Sequence, residues 1–356
     1  MRRLVSVKLS APVFAGALAV FAVAGCASPN GAALPSGATL RNANNLLADR
    51  RGKVQLYQDT FGDALPAGIT TGPDGALWFT DTGNDVIGRI TTSGTYTLEV
   101  SPGAELSDGI TVGPDKNLWF TVEQGAGGVG RITTDGVVTL FKDPGGSYTQ
   151  GITVGPDRAL WFAESNGTVG RMTTNGKIGH FSVAPSDAEL EGIVTGPDGN
   201  LWVTQYVVGG SRFSNQVIRV STTGKYKSYT VGSGPYGAGP DFICVGPDKA
   251  LWFTEADDNA LGRLTTSGEY KEFPTNFEYG QPSGIAAGPD GALWFTDFTG
   301  RAGIGRMTTS GKVSFYPVPG SFPELLEITA GPRHAMWFTS DLGPSAIGRI
   351  ATHKSR

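Results

Sequence analysis

Two cysteines, three histidines and four methionines are all that a chain of 356 residues provides of those types. The only sustained apolar stretch, from about Ala11 to Ala24, is too short for a comfortable transmembrane span. Across residues 67–100 no stretch carries a 3.6-residue apolar period, which argues against helical repeat arrays. A net charge of -4 leaves no electrostatic footprint for nucleic acid.

What the chain does have is a phrase repeated seven times. All seven tryptophans, Trp78, Trp119, Trp161, Trp202, Trp252, Trp294 and Trp337, stand in copies of "GPDxxLWFT", spaced 41, 42, 41, 50, 42 and 43 residues apart. That period fits a four-stranded propeller blade and is too long for a leucine-rich repeat. Each copy breaks into short Thr/Ile/Val/aromatic runs separated by Gly, Pro, Asp and Ser, the pattern of strands and tight turns. In blade one the reading is strand A "GIT", a turn at Gly72-Pro73-Asp74-Gly75, strand B "ALWFT", strand C "VIGRIT" and strand D "TYTLEV".

The seventh copy ends at strand C, and "GKVQLYQD" (Gly52 to Asp59) resembles strand D elsewhere, such as "GKVSFYPV" (Gly311 to Val318). The expected fold is therefore all-β: a seven-bladed β-propeller of four-stranded blades, closed by the N-terminal strand completing the last blade. Residues 52–356 form it, as a monomer. Ahead of it, Arg2, Arg3 and Lys8, the apolar stretch and Val23-Ala24-Gly25-Cys26 read as a lipoprotein-type signal peptide over residues 1–25. Cys26 is then lipidated, and residues 26–51, rich in Ser, Pro, Gly, Asn and Ala, form a disordered tether. The expected location is outside the cytoplasm, lipid-anchored to the bacterial cell membrane on its periplasmic or cell-surface side. With Cys26 modified, only Cys244 in "FICVG" remains; no intramolecular disulfide is possible, and the thiol reads as buried and structural.

The repeated phrase "GITxGPDGxLWFTExxxNxIGRITTxGxxxxF" resembles the virginiamycin B lyase (streptogramin lyase) family of seven-bladed propellers, over residues 52 to 352. The resemblance implies Mg-dependent opening of a cyclic depsipeptide by elimination, with a catalytic His in a "P-H-G-I"-type phrase of the last blades. The corresponding positions here are Ser283 in "QPSGI" and Leu326 in "ELLEI". Glu324 and Asp341 stand where the family site has acidic residues, and are the candidate catalytic remnant. His180 falls on an outer strand, His334 in a turn and His353 in the tail, so none is expected at the funnel.

In a repeat protein, residues present in every copy serve the blade and a site arises where copies differ. The strand C arginines Arg89, Arg131, Arg171, Arg219, Arg263, Arg306 and Arg349 are therefore scaffold, each expected to pair with a neighbouring carboxylate or carbonyl. The turn in blade one predicts that Ile69 faces Trp78 and Pro66 faces Asp81. The residues before "GI" and after "WFT" then emerge together on one open face, rimming the central channel. Those positions are rich in acids, among them Asp108, Glu191, Asp241, Glu255 and Asp297. Asp108, Glu255 and Asp297 are candidate ligands for a Mg or Ca ion; the alternative is solvated or arginine-paired carboxylates.

Blade four has a longer loop between strands B and C, and a longer connection follows it. Trp202 and Arg219 are 17 residues apart where other blades have 10 to 12. Tyr206, Arg212, Phe213 and Tyr236 bring aromatic surface and a cation to the funnel, and with Glu191 and Asp241 form the candidate ligand-binding set. The functional expectation is a binding propeller for a small molecule, glycan or partner protein. A Mg-dependent carbon–oxygen lyase or a lactone hydrolase is the alternative, and a surface assembly role is a third class.

Overall fold

The computed structural model describes residues 52–352 except 59–63, 124–126, 144, 208–214, 233–238, 279, 299–302, 320–323 and 341–344. Cys26, Arg212, Phe213, Tyr236, Asp341 and His353 lie outside the described residues. The strands form seven four-stranded antiparallel sheets. In six of them the order along the sheet is the order along the chain, with strand A innermost and strand D outermost. Strand A of each blade packs against strand A of the next, and the seventh against the first, so the inner strands close a ring around the axis.

Closure follows the expected route. The last sheet is built from Leu325–Gly331, Ala335–Ser340 and Ala346–Ala351, and its outer position is filled by Val54–Gln58. Val54 pairs with Ile350 and Gln58 with Ala346. Tyr57 stacks on Trp337 at 5.6 Å between ring centroids. Phe141 on Trp119 and Phe181 on Trp161 make the same contact inside blades two and three. The N-terminal strand thus reproduces the packing of an ordinary strand D.

The "GPD" aspartate explains three repeated positions together. Asp74 Oδ1 accepts a hydrogen bond from Trp78 Nε1 at 3.1 Å, and Asp74 Oδ2 accepts one from Arg89 Nε at 2.7 Å. The Trp–Asp bond recurs in blades two to six at 2.9–3.0 Å. The arginine reaches the same carboxylate in each of those blades, at 2.6–2.7 Å except for Arg131, which stands 3.9 Å away. Burial opposes the charge on Asp74, but the bonds from Arg89 and Trp78 hold its carboxyl below the ordinary carboxylate value. Blade seven has Arg333 in place of the aspartate, Trp337 Nε1 has no partner among the described residues, and Arg349 turns to Gln55 at 3.2 Å.

One expectation needs correcting. Pro66 does pair with Asp81, but Thr70 rather than Ile69 lies opposite Trp78, and Ile69 lies opposite Phe79. A β-bulge between Pro66 and Ile69 inserts an extra residue, and strand A of every other blade shifts register at the same place. The threonine of "WFT" holds this bulge. Thr80 Oγ1 accepts the Gly68 N–H at 2.9 Å, and Thr121 and Thr204 do the same for Gly109 and Gly192. Threonine hydroxyls at this position also donate to the next blade: Thr204 to the Asp241 carbonyl at 2.5 Å, Thr296 to that of Leu326 at 2.6 Å and Thr339 to that of Ala67 at 2.7 Å. Thr204 and Thr339 therefore each hold their own bulge and staple adjacent inner strands.

Candidate functional site

The bulge decides which acids reach the axis. Asp108, Glu191 and Asp241 occupy the same bulged position in blades two, four and five. Their carbonyls turn back against the glycines of the preceding blades, Gly68, Gly151 and Gly192. Asp108 interacts electrostatically with both Asp241 and Glu327, from blade seven. Blades two, five and seven are not neighbours, so these carboxylates face one another across the axis.

Asp108 is exposed to the channel and Asp241 and Glu327 are half-buried, so the surrounding blades displace part of their solvation without shutting water out. Burial, then the charge of Glu123, raises the Asp108 carboxyl to about 6. Burial and then Asp108 raise Asp241. Burial raises Glu327 to about 8; a hydrogen bond donated by the Ile69 N–H opposes that rise and the charge of Asp108 adds to it. Carboxyls in this condition exchange protons near neutral pH and favour a ligand presenting cationic or hydrogen-bond-donating groups.

Glu327 is the axial residue that the sequence reading passed over. It sits where five other blades have the glycine of "GI" (Gly68, Gly109, Gly151, Gly192, Gly284); blade five has Phe242 there. The signal was present, since the copies differ at that position. Glu327 stands one residue after Leu326, the position that corresponds to the family histidine.

The residues after "WFT" go elsewhere. Asp81, Glu164, Glu255 and Asp297 are almost wholly buried inside their blades. Asp81 accepts from the amides of Leu65, Gly83 and Asn84 at 2.8–3.2 Å, and Asp297 from that of Gln281 at 2.9 Å, so both staple loops. Glu255 accepts from the Tyr270 hydroxyl at 2.7 Å on the outer strand, and burial pushes its carboxyl up to about 8. Asp108, Glu255 and Asp297 therefore do not gather on one point.

Axial carboxylates supply oxygen donors suited to Mg or Ca. Among the described residues, however, the group of three whose ligand atoms all lie within 4.8 Å of one another is Asp143, Glu164 and His180, at the seam of blades two and three. That set can hold a metal ion, whereas the described axial acids, as arranged, do not fit direct coordination of one ion.

Glu191 is half-buried, as is Tyr206, which sits opposite Glu189 in blade four. Glu324 is half-buried, with its carboxyl raised by burial. Ser283 is buried and Leu326 half-buried. The described histidines, His180 on an outer strand and His334 in a turn, stand away from the axis. The Cys244 thiol is free and partly buried, and desolvation raises it to about 12, consistent with an inert group.

The sequence profile of the virginiamycin B lyase family matches residues 46–231 and 180–355. A crystal structure of catalytically inactive virginiamycin B lyase from Staphylococcus aureus, a histidine-to-alanine variant with quinupristin, is 30% identical. It covers 85% of this chain and 99% of that one, with a TM-score of 0.75. A streptogramin B lyase structure is 28% identical over 85% of this chain and 98% of its own, with a TM-score of 0.74. Virginiamycin B lyase of Bordetella pertussis is 54% identical over 39 residues, a stretch that spans 11% of this chain and 13% of that protein's length. A gluconolactonase-type propeller at 14% identity and a TM-score of 0.52 shares the fold.

Proposed function

The chain belongs to the virginiamycin B lyase family, and within it we propose a binding propeller that holds a small molecule on its acidic axial face without opening it. One observation carries this reading: the described axis is lined by Asp108, Asp241 and Glu327, and the described histidines stand elsewhere. The Staphylococcus aureus relative is made catalytically inactive by replacing one histidine with alanine. A scaffold of this family with Ser283 and Leu326 at the positions assigned to the histidine lacks the imidazole that general-base removal of a proton would use. The carboxylates that remain reward a donor-rich or cationic ligand. In this reading Cys26 carries lipid and residues 27–50 tether the propeller outside the cell membrane. A glycan or a protein segment with similar donor groups would satisfy the same face.

A second reading rests on Glu327. A carboxyl raised to about 8 is a stronger base, once ionised, than an ordinary carboxylate, and lyase or lactone-opening chemistry would then run without histidine. Quinupristin is the discriminating probe. Calorimetry with the tag-free propeller should detect binding, and mass spectrometry should find the ring intact after prolonged incubation. Ring opening that disappears in Glu327→Gln would replace the first reading with the second. Neither binding nor turnover would remove streptogramins from the ligand class.

A further inference from the structure

Away from the axis, at the seam of blades two and three, two carboxylates and an imidazole converge. Asp143 follows the outer strand of blade two (Val138–Lys142); Glu164 ends the second strand of blade three (Leu160–Glu164); His180 lies in its outer strand (Ile178–Ser182). His180 Nε2 is 2.8 Å from Asp143 Oδ2 and 3.9 Å from Glu164 Oε1. Both carboxylates are buried, whereas the His180 side chain is 27% exposed, so the group opens to solvent on the imidazole side.

Glu164 carries the argument beyond an acidic cluster. Its side chain has no exposed surface, Oε1 accepts the Ser147 N–H at 3.1 Å, and Oε2 has no hydrogen-bond partner among the described residues. A buried carboxylate oxygen left unpaired costs free energy unless something absent from the protein chain supplies the partner. Gly146 keeps the space clear: a Cβ there would stand 2.6 Å from Glu164 Oε1 and 2.8 Å from Asp143 Cγ. Bonds of about 2.0–2.2 Å from a zinc-type ion to nitrogen and oxygen place donor atoms about 3–4.4 Å apart, close to the spacing found here.

We propose that Asp143, Glu164 and His180 form a binding site for a first-row divalent cation of the Zn or Mn type, independent of the axial face. One imidazole nitrogen with two carboxylate oxygens suits such an ion better than the oxygen-only sets that Mg and Ca select. The ion bridges the end of blade two to blade three, replaces the direct His180–Asp143 hydrogen bond, and completes its shell with water on the exposed side.

The test uses tag-free, EDTA-treated protein titrated with zinc chloride and manganese chloride. One equivalent of at least one ion per chain is expected, with a rise in melting temperature as the ion concentration increases. Glu164→Gln and His180→Gln should each weaken binding at least tenfold and lose that rise, while melting within a few degrees of wild type in EDTA. Asp108→Asn, at the axis, should bind normally. Absence of stoichiometric binding in the wild type, or binding unaffected by both seam substitutions, would overturn the proposal. Replacing His180, which is partly exposed, keeps the test informative should Glu164→Gln fail to fold.

Discussion

Val203 and Ile218 face each other across blade four, at the positions where the other six blades pair a phenylalanine with a glycine. In blade one a Cβ on Gly88 would overlap the ring of Phe79. The two arrangements solve one packing problem with the bulk placed on opposite strands. Val203→Phe alone should cost about 1–3 kcal/mol by overpacking, and Ile218→Gly alone about 2–5 kcal/mol by leaving a cavity. The double variant should be more stable than either single one, with a coupling of about 2 kcal/mol or more in urea denaturation. Additive losses would show that the residues do not share one space. Glu327 makes a second residue-scale prediction. Its carboxyl titrates near 8 when folded against a reference value of 4.5, so the folded state holds the proton more tightly. The stability this contributes is complete below about pH 4.5 and is lost as the pH rises to about 8. Asp108, raised to about 6, adds to the lower part of that window. Melting temperature should therefore fall between pH 5 and 8.5, and Glu327→Gln should flatten the curve and melt higher at pH 8. An unchanged slope in the variant would place the titration elsewhere.

At the scale of the strand, the bulge separates what the sequence made legible from what it did not. In blade one Gly72-Pro73-Asp74-Gly75 marked the turn between the first two strands and a Thr-Ser-Gly phrase the turn between the last two, because turn chemistry is local. The likeness of Gly52–Asp59 to an outer strand revealed closure for the same reason. Register inside strand A depended on an inserted residue held by a threonine from the neighbouring strand, a contact that strict two-residue alternation does not contain. Asp108 and Asp241 were found by asking where copies differ. Glu255 and Asp297 passed the same filter although they serve buried loops and a tyrosine, since sequence variation alone does not report the direction of a side chain. The bulge also makes a prediction. A Cβ on Gly68 would overlap the Asp108 carbonyl of the next blade, whereas one on Gly179 would meet nothing within 4 Å. Gly68→Ala should cost about 3 kcal/mol or prevent folding, and Gly179→Ala should leave the melting temperature unchanged or slightly higher. Equal effects would mean that inner strands tolerate separation and that the ring is looser than described.

For the molecule as a whole, the seam that closes the ring is where the repeat is most altered. Blade seven is assembled from both ends of the chain, lacks the aspartate that anchors the tryptophan in the other six, and carries Glu327 in place of a glycine. Much of what holds this blade comes from the N-terminal strand. Val54 is buried, Tyr57 stacks on Trp337, and Gln55 takes over Arg349. The Tyr57 carbonyl also accepts the Tyr96 hydroxyl at 2.7 Å, tying the closing strand to blade one. Deleting residues 52–58 leaves Ala346–Ala351 as a bare edge with unpaired backbone groups and uncovers Trp337, a template for pairing with other chains. The deletion should lower the melting temperature by at least several degrees and shift the size-exclusion elution toward aggregate. A peptide spanning residues 50–60 added in trans should restore part of the lost stability by mass action. An unchanged melting temperature would show that the inner ring of strands alone holds the propeller shut. That result would also weaken the axial site's claim to a fixed geometry, since Glu327 and the Ile69 amide meet only across this seam.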